Sequence, residues 1–409
     1  MLLNAERRLP MRYPGDTVEN SRDLRIDVLR GLAICFVVVN HIDIPSAYHV
    51  VSQEAIAPIT GAEMFVALSG VVLAMAYRRR AELGVRQETM VPLWRRARKL
   101  YLTAVAVAVL AWLTQFIPGV DARVLTTWAE TDADGKLVRW DLYGGAAYGL
   151  PWPIPGHLLG DLLFLRIGPS QFNVIGLYVG LLAAAPLVLA LLKRDRWRLV
   201  LGASVAVYAL YRLSPQHVLP STFENPFPLM AWQLLFVLGM LAGWYRAALL
   251  RFAGTVWGRV CLAASVVLFL AAFFFTSNNP WKPFVAGSPA FKLSVIPAET
   301  FGSLYTSMFE RTDLDPGRVL VVVVTLVTLY AALTAFWRPL SRTVVPVLAP
   351  LGQATLYVFV LQVFAVLIVA NIPLPSTTPV FWGTLVHTAV LVGMWLMVRH
   401  RVLFRVIPR

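Results

Sequence analysis

The sequence predicts an all-α protein: a polytopic integral membrane helix bundle with about ten transmembrane helices and both termini in the cytoplasm. Three observations lead to this fold class. Hydrophobic residues make up 58% of the 409-residue chain and charged residues only 14%, a balance that does not suit a soluble enzyme. Apolar stretches of helical length recur along the chain. Most Lys and Arg residues lie in the short polar segments between those stretches.

Hydropathy predicts that the chain forms one membrane domain, over residues 26–400. A polar tail (1–25) precedes it and a basic tail (401–409) follows. The first tail has no apolar core of signal-peptide length, so we expect no cleavage. The Lys and Arg excess predicts that both tails face the cytoplasm. We expect the chain to be a multi-pass protein of the inner (plasma) membrane. The predicted spans are 26–45, 57–77, 97–117, 172–192, 198–213, 229–246, 258–276, 318–337, 346–370 and 380–398.

Charge and cysteine content exclude several classes of function. The net charge of +14 comes from Arg clusters between apolar segments, where retention of cytoplasmic loops explains it better than nucleic-acid binding. Cys35 and Cys261 both lie inside apolar runs, so we expect neither a disulfide nor a metal site. The sequence has no Gly-rich phosphate loop, HExxH or GxSxG pattern, which argues against nucleotide hydrolysis and serine hydrolase chemistry.

Two polar residues in the first predicted span are the first candidates for chemistry. Arg30 and His41 are separated by ten apolar or small residues, so on a helix they share one face about 16 Å apart. A neutral histidine in a polar cavity can act as a general base, and Arg30 can bind an anion. The same residues are also compatible with a structural hydrogen bond from His41 and a local salt bridge between Arg30 and Asp27.

Glu63 opens the second predicted span, within the stretch GAEMFVALSG (61–70). A carboxylate at that depth can orient or pair with the imidazole of His41 on the neighbouring span. An interfacial glutamate without a catalytic role is equally compatible. Ser69 and Gly70 are small, which favours close helix packing or the close approach of a ligand.

A dense basic cluster follows the second predicted span. Because guanidinium groups match phosphate oxygens, this cluster is a candidate site for a phosphorylated donor such as coenzyme A. Lipid head groups are the alternative ligand. The residues proposed for donor binding are Arg78, Arg79, Arg95, Arg96 and Lys99, with Arg80, Arg86 and Arg98 nearby.

The longest predicted outside loop, 118–171, combines acidic and aromatic residues. Its apolar piece LLGDLLFLRIG is too short to span a membrane and predicts an interfacial or re-entrant helix. Aromatic side chains outside the membrane can stack on sugars or form an interfacial belt, and the sequence leaves both open. The aromatic residues in question are Trp128, Trp140 and Trp152 in this loop and Trp281 in the later predicted outside loop, 277–317.

These motifs occur in an order that resembles a known superfamily. Arg30, ten residues, His41, then GAEMFVALSG and WRRARKLY are similar to the start of the type-3 membrane acyltransferases. RIDVLRGLAI and ENPFPLMAWQLLFVLGMLAGW (224–244) resemble the OpgC branch, whose members succinylate periplasmic glucans. The similarity extends from about residue 22 to about residue 400. Three positions depart from the pattern: Glu63 replaces the commoner aspartate, Val66 replaces a phenylalanine, and Gln362 stands where related enzymes often have histidine.

The resemblance implies an O-acyltransferase that uses a cytoplasmic acyl-CoA, succinyl-CoA or another, and has no permanently bound cofactor or metal. The acyl group would pass to a hydroxyl of an extracytoplasmic cell-envelope polysaccharide. Catalytic roles would fall on His41 at the transfer point, on Glu63, and on Arg30 closer to the coenzyme A. A dicarboxylic acyl group would want a further cation, for which Arg166 and Arg212 are candidates.

A transporter or flippase for an envelope glycan or small anion remains an alternative, because intramembrane Arg and His also fit a substrate or proton path. An acetyl donor would leave the architecture unchanged. A covalent acyl-histidine intermediate and direct transfer are both compatible with the sequence.

Overall fold

A computed structural model describes residues 23–52, 54–82, 90–131, 137–149, 153, 155–280, 293–375 and 377–407. Helices dominate this part of the chain, which confirms the predicted all-α class. Three residues discussed above lie outside the described part of the chain: Arg86, Trp152 and Trp281. Of the predicted tail 1–25, only residues 23–25 are described.

The helices and strands follow in chain order. They are α1 Leu24–His41, α2 Gly61–Glu82, α3 Met90–Leu113, α4 Arg123–Thr126, β1 Thr127–Thr131, β2 Leu137–Asp141, α5 His157–Leu163, α6 Val174–Lys193, α7 Trp197–Leu213, α8 Leu229–Trp244, α9 Arg246–Ala253, α10 Val256–Ser277, α11 Ala298–Met308, α12 Pro316–Ala335, α13 Trp337–Thr343, α14 Val345–Gln353, α15 Thr355–Ala370 and α16 Pro379–Arg399.

Helix α1 is the buried centre of the bundle and carries both Arg30 and His41. Asp23 caps its first turn by accepting a hydrogen bond from the backbone N–H of Arg25 at 3.1 Å. Gly31 lets α1 cross α14 closely, because a Cβ atom there would lie 2.0 Å from the carbonyl oxygen of Leu348. The first turn and this crossing fix the position of α1 in the bundle.

Helices α2 and α8 also cross at short distance through small residues. A Cβ atom on Gly70 would lie 2.1 Å from the carbonyl oxygen of Phe236, and one on Gly239 would lie 2.0 Å from that of Ala67. Small residues that allow this approach are typical of packed membrane helices. Close packing therefore accounts for Gly70, as one of the two alternatives predicts.

Among the described residues, six helices are long and apolar enough to cross a membrane, or up to eight if each of two bent helix pairs forms one span. Helix α1 is outside this count because it contains Arg25, Asp27 and Arg30, and α7 because it has 17 residues. The predicted number of about ten spans is therefore not confirmed, and the cytoplasmic orientation of the termini stays a prediction.

One predicted span differs clearly from the structure. Residues 346–370 do not form a single straight helix, because α14 and α15 meet at an angle of 91°. The bend follows Pro350 and Gly352, and both residues disfavour a continuous helix. A Cβ atom on Gly352 would lie 1.8 Å from the carbonyl oxygen of Asp27 in α1. A glycine at the bend therefore lets α14 pack closely against α1.

The long loop between α3 and α6 contains the short helices α4 and α5 and a β-hairpin. Helix α5, His157–Leu163, begins one residue before the apolar piece predicted to be an interfacial or re-entrant helix and covers its first half. Strands β1 and β2 pair antiparallel with Trp128 opposite Trp140, and both indole rings are largely exposed. Stacking on sugars and an interfacial aromatic belt both stay predictions for these rings.

Candidate functional site: two cavities along helix α1

His41 is the last residue of α1, and a glutamine of α15 holds its imidazole. Nδ1 of His41 lies 3.1 Å from Oε1 of Gln362. The amide nitrogen of Gln362 donates to the backbone carbonyl of Gln171 at 3.3 Å. Because a carbonyl oxygen can only accept, this second bond fixes the orientation of the amide. Oε1 therefore accepts from Nδ1–H, which leaves the lone pair of Nε2 to act as a base.

A cavity of about 60 Å³ surrounds this imidazole and is hereafter the His41 cavity. Its polar lining includes Asn40, His41, Gln171 and Arg311. Oε1 of Gln171 is a buried oxygen without a hydrogen-bond partner among the described residues. The cavity thus combines a base, a cation and an available hydrogen-bond acceptor.

Glu63 forms no hydrogen bond with His41, although orienting or pairing with this imidazole is one of the two roles that the sequence leaves open for it. Among the described residues its hydrogen bonds go elsewhere: Oε1 accepts from Nε of Arg318 at 2.6 Å, and Oε2 accepts from the backbone N–H of Thr60 at 3.0 Å. Arg318 is fully buried and also donates to Glu54 at 2.5 Å. The group that orients His41 is Gln362, and Glu63 is part of a buried ion-pair cluster beside the cavity.

Tyr305 of α11 completes this cluster. Its hydroxyl donates to Oε2 of Glu54 at 2.9 Å. Burial, together with the negative charge of Glu54, raises the pKa of Tyr305 to about 12, so the hydroxyl keeps its proton at neutral pH. Nη1 of Arg318 also donates to the backbone carbonyl of Phe309 at 2.7 Å. Each buried charge in this cluster thus has an opposite charge and further hydrogen-bond partners, as burial of a charge requires.

A second cavity lies at the other end of the α1 line and is hereafter the Arg30 cavity. It has a volume of about 300 Å³ and is lined by Arg30, Arg96, Lys99, Ser69 and Tyr178, among others. Nη2 of Arg30 donates to Oγ1 of Thr355 at 2.7 Å, which holds the guanidinium at the cavity wall. Three cations around one cavity are suited to a ligand with several negative charges.

The predicted donor-binding cluster divides between this cavity and its surroundings. Arg96 and Lys99 line the Arg30 cavity, whereas Arg78 packs over the ring of Trp244 at 5.3 Å. Arg79 and Arg95 do not line the cavity, although they are exposed to solvent like Arg96 and Lys99. Two of the five predicted residues thus share a cavity with Arg30.

One aromatic side chain separates the two cavities. Phe65 lines both the His41 cavity and the Arg30 cavity. Its ring stacks on Phe359 with centroids 6.2 Å apart and meets Tyr178 edge-on at 5.1 Å. Residues Arg30 and His41, predicted to share a helix face, thus border two compartments with a common aromatic wall.

Three residues of this region are absent from the set of candidates that the sequence provides: Gln171, Arg311 and Arg318. Arg318 had a visible signal, because it is a charge at the start of an apolar run in α12. Arg311 lies in a polar loop and had none. Within the described ranges, no three His, Cys, Asp or Glu side chains come together as a metal site.

The helices and the two cavities define the class of this protein: it is a multi-pass membrane protein with a cationic compartment and a histidine compartment along one helix. The family model described as OpgC protein matches residues 22–405, nearly the whole chain. The chain therefore belongs to the OpgC family, which confirms the resemblance seen in the sequence. Membership of this family indicates a membrane acyltransferase-like role. No match is found among curated proteins or among solved structures.

Proposed function

We propose that this protein transfers an acyl group from a cytoplasmic acyl-CoA to a hydroxyl of an extracytoplasmic polysaccharide, with succinyl-CoA as the first donor to test. The observation that carries the proposal is the pair of cavities that share Phe65. One cavity has cations for a phosphorylated donor, and the other has a histidine oriented as a base. A donor held in the first cavity can extend its acyl arm past Phe65 to reach the second.

The Arg30 cavity is proposed to hold the coenzyme A end of the donor. Its volume of about 300 Å³ is at the lower end of the range for small-molecule sites. Arg30 and Arg96 offer guanidinium groups that bind phosphate oxygens in pairs, and Lys99 adds a point charge. The hydroxyl of Tyr178 donates to Oγ of Ser69 at 3.2 Å, so this wall also carries neutral polar groups for the donor.

The proposed chemistry at His41 is general-base acyl transfer. Nε2 removes the proton from the acceptor hydroxyl as its oxygen attacks the thioester carbonyl carbon. A carbon–oxygen bond forms, the carbon–sulfur bond breaks, and the thiolate of coenzyme A leaves. The proton on His41 then passes to that thiolate, so the products are an acyl ester and coenzyme A. Gln362 holds the imidazole through Nδ1 during both proton transfers.

The acceptor is proposed to approach the His41 cavity from the side opposite the donor. Oε1 of Gln171, which has no hydrogen-bond partner among the described residues, can accept from a sugar hydroxyl. Asn40 lines the same cavity and can both donate and accept. Sugars present many hydroxyl groups, so a small cavity with amide side chains suits one such group.

His41→Ala tests the proposal most directly. We expect purified His41→Ala to lose transfer from succinyl-CoA to envelope polysaccharide taken from cells without the gene, while its melting temperature stays close to that of the wild type. The assay measures released thiol and the acyl ester on the polysaccharide by mass spectrometry. His217→Ala is the matched control, because His217 is an exposed loop histidine. Full activity in His41→Ala would refute the mechanism.

The same preparation discriminates a transporter or flippase. An acyltransferase of the proposed kind should melt at a higher temperature in succinyl-CoA or acetyl-CoA, because ligand binding stabilises the folded state. It should also release free coenzyme A only when the polysaccharide is present. Movement of polysaccharide across proteoliposomes without any thiol release would favour transport and overturn the proposed function.

A further inference from the structure

Arg311 is the cation in the His41 cavity that the proposed mechanism does not use. It lies between α11 and α12, far in sequence from the Arg cluster, and lines the cavity together with His41 and Gln171. Across the described residues, its side chain has no hydrogen bond or ion pair. Its charge interacts with His41 through space. A partly buried guanidinium without a fixed anion is suited to an anionic ligand.

The loop that carries Arg311 is held rigidly by its neighbours. The indole N–H of Trp232 donates to the backbone carbonyl of Thr312 at 3.0 Å, and the hydroxyl of Tyr208 donates to that of Leu314 at 2.8 Å. These bonds come from two different helices, α8 and α7. Arg311 is therefore presented to the cavity from a fixed backbone, as a recognition residue needs.

Every acidic side chain in this loop already has another partner. Glu310 accepts from the backbone N–H of Asp313 at 3.0 Å. Asp313 accepts from the hydroxyl of Tyr211 at 2.6 Å, and Asp315 forms an ion pair with Arg212 at 2.7 Å. Local carboxylates thus bind partners other than Arg311, which leaves that guanidinium facing the cavity.

The buried cluster next to the cavity does not neutralise Arg311 by direct contact either. Glu63 and Glu54 both hydrogen-bond to Arg318. Glu63 interacts with Arg311 only through space. Arg318 thus pairs with the buried carboxylates, whereas Arg311 lines the cavity at the proposed transfer point.

We infer that Arg311 binds the terminal carboxylate of a dicarboxylic acyl group while the thioester lies at His41. This inference rests on the proposed function and names the residue that would select a dicarboxylic acyl group at the same site. A carboxylate is the favoured anion because it is small and planar and pairs with guanidinium through two parallel hydrogen bonds. The cavity of about 60 Å³ suits such a group better than the phosphates of coenzyme A, for which the larger Arg30 cavity supplies three cations.

Arg166 and Arg212, the candidates that the sequence provides for this role, are engaged elsewhere. Arg166 donates to the backbone carbonyl of Pro220 at 2.8 Å and pairs with Asp161 at 3.3 Å. Arg212 pairs with Asp315. Neither lines the His41 cavity, so Arg166→Gln is a matched control for the loss of an arginine near the same end of the bundle.

The test compares two acyl donors with chains of four carbons, succinyl-CoA and butyryl-CoA, which differ by the terminal carboxylate. The wild type should use succinyl-CoA with the higher kcat/KM. Arg311→Gln should lower kcat/KM for succinyl-CoA about 10- to 150-fold, the range for a lost hydrogen bond to a charged group, and that for butyryl-CoA by less than about threefold. Arg311→Lys should give an intermediate ratio, because it keeps the charge but not the fork. Arg166→Gln should leave the ratio unchanged.

The ratio of the two rates is measured within one protein sample, so a smaller folded fraction in a variant cancels. If Arg311→Gln has no activity with either donor, the ratio in Arg311→Lys decides the question. An equal loss for both donors would overturn the inference, since Arg311 would then act on the acceptor, the reacting carbonyl or the fold. A wild type that prefers butyryl-CoA would also overturn it while leaving the proposed function intact. A wild type that transfers no acyl group would refute the proposed function itself.

Discussion

Replacing Gln362 by leucine tests whether the amide positions His41 for catalysis. Gln362 is fully buried, and Leu has a similar volume, so the change removes polar contacts and leaves the packing largely in place. Nδ1–H of His41 loses its acceptor at 3.1 Å, and the backbone carbonyl of Gln171 loses its donor at 3.3 Å. The imidazole can then rotate or change tautomer, so Nε2 is no longer held as the base.

The size of the effect follows from the hydrogen bond that supports the developing imidazolium. A hydrogen bond to a charged group contributes about 1.5–3 kcal/mol, which converts to a fall in kcat of about 10- to 150-fold. The KM for acyl-CoA should change little, because Gln362 does not line the Arg30 cavity. Gln362→Glu keeps an acceptor for Nδ1–H but loses the donor to Gln171, so its kcat should lie between those of Gln362→Leu and the wild type.

Steady-state kinetics of transfer to envelope polysaccharide, with the melting temperature measured on the same samples, provide the readout. If Gln362 had a purely structural role, both variants would have a lower melting temperature and a smaller active fraction. The kcat of Gln362→Glu would then not exceed that of Gln362→Leu, although only the glutamate keeps an acceptor for Nδ1–H of His41. The positioning role is refuted if Gln362→Leu retains the wild-type kcat, or if its defect lies entirely in KM.

Two further predictions concern the donor cavity and the buried cluster. Arg96→Gln and Lys99→Gln should each raise the KM for acyl-CoA about 10-fold, because each removes a cation proposed to bind phosphate. Arg79→Gln should leave the KM unchanged, because Arg79 does not line the Arg30 cavity; equal effects in all three would point to membrane-surface charge instead. Arg318→Met should destabilise the protein by about 3–5 kcal/mol, because it leaves buried carboxylates without their cation. Thermal unfolding in detergent measures this loss of stability, which should be smaller in Glu63→Gln. An unchanged melting temperature in Arg318→Met would contradict the role of Arg318 as the partner of the buried carboxylates.

The sequence predicts the helical class and the alignment of Arg30 with His41, because both depend on local periodicity. Hydropathy identifies apolar helices wherever they are continuous. It fails between α14 and α15, where the bend of 91° depends on how Gly352 packs against α1. The predicted span 346–370 contains Pro350 and Gly352, which disfavour a continuous helix. Because the residues on both sides of the bend are apolar, hydropathy does not separate the two helices.

Partners distant in sequence set the limits of prediction for the site. Glu63 and Arg318 are 255 residues apart, and nothing local indicates that Glu63 pairs with Arg318 and not with His41. The same holds for His41 and Gln362, which are 321 residues apart. The sequence shows Gln362 only as a departure from the pattern that it resembles, and it is the contact with His41 in the fold that assigns Gln362 the role of orienting the imidazole.

Arg311 and Arg318 are seven residues apart, yet the structure gives them opposite surroundings. Arg318 has no exposed surface and donates hydrogen bonds to Glu54 and Glu63, so its charge is paired within the fold. Arg311 has no such bonds among the described residues and borders the cavity that contains His41. Substituting the two residues should therefore separate two properties: loss of Arg318 should lower the melting temperature, whereas loss of Arg311 should change the choice of acyl donor. A shared phenotype would mean that the two arginines serve one structural network, because only then does removing either charge disturb the same carboxylates.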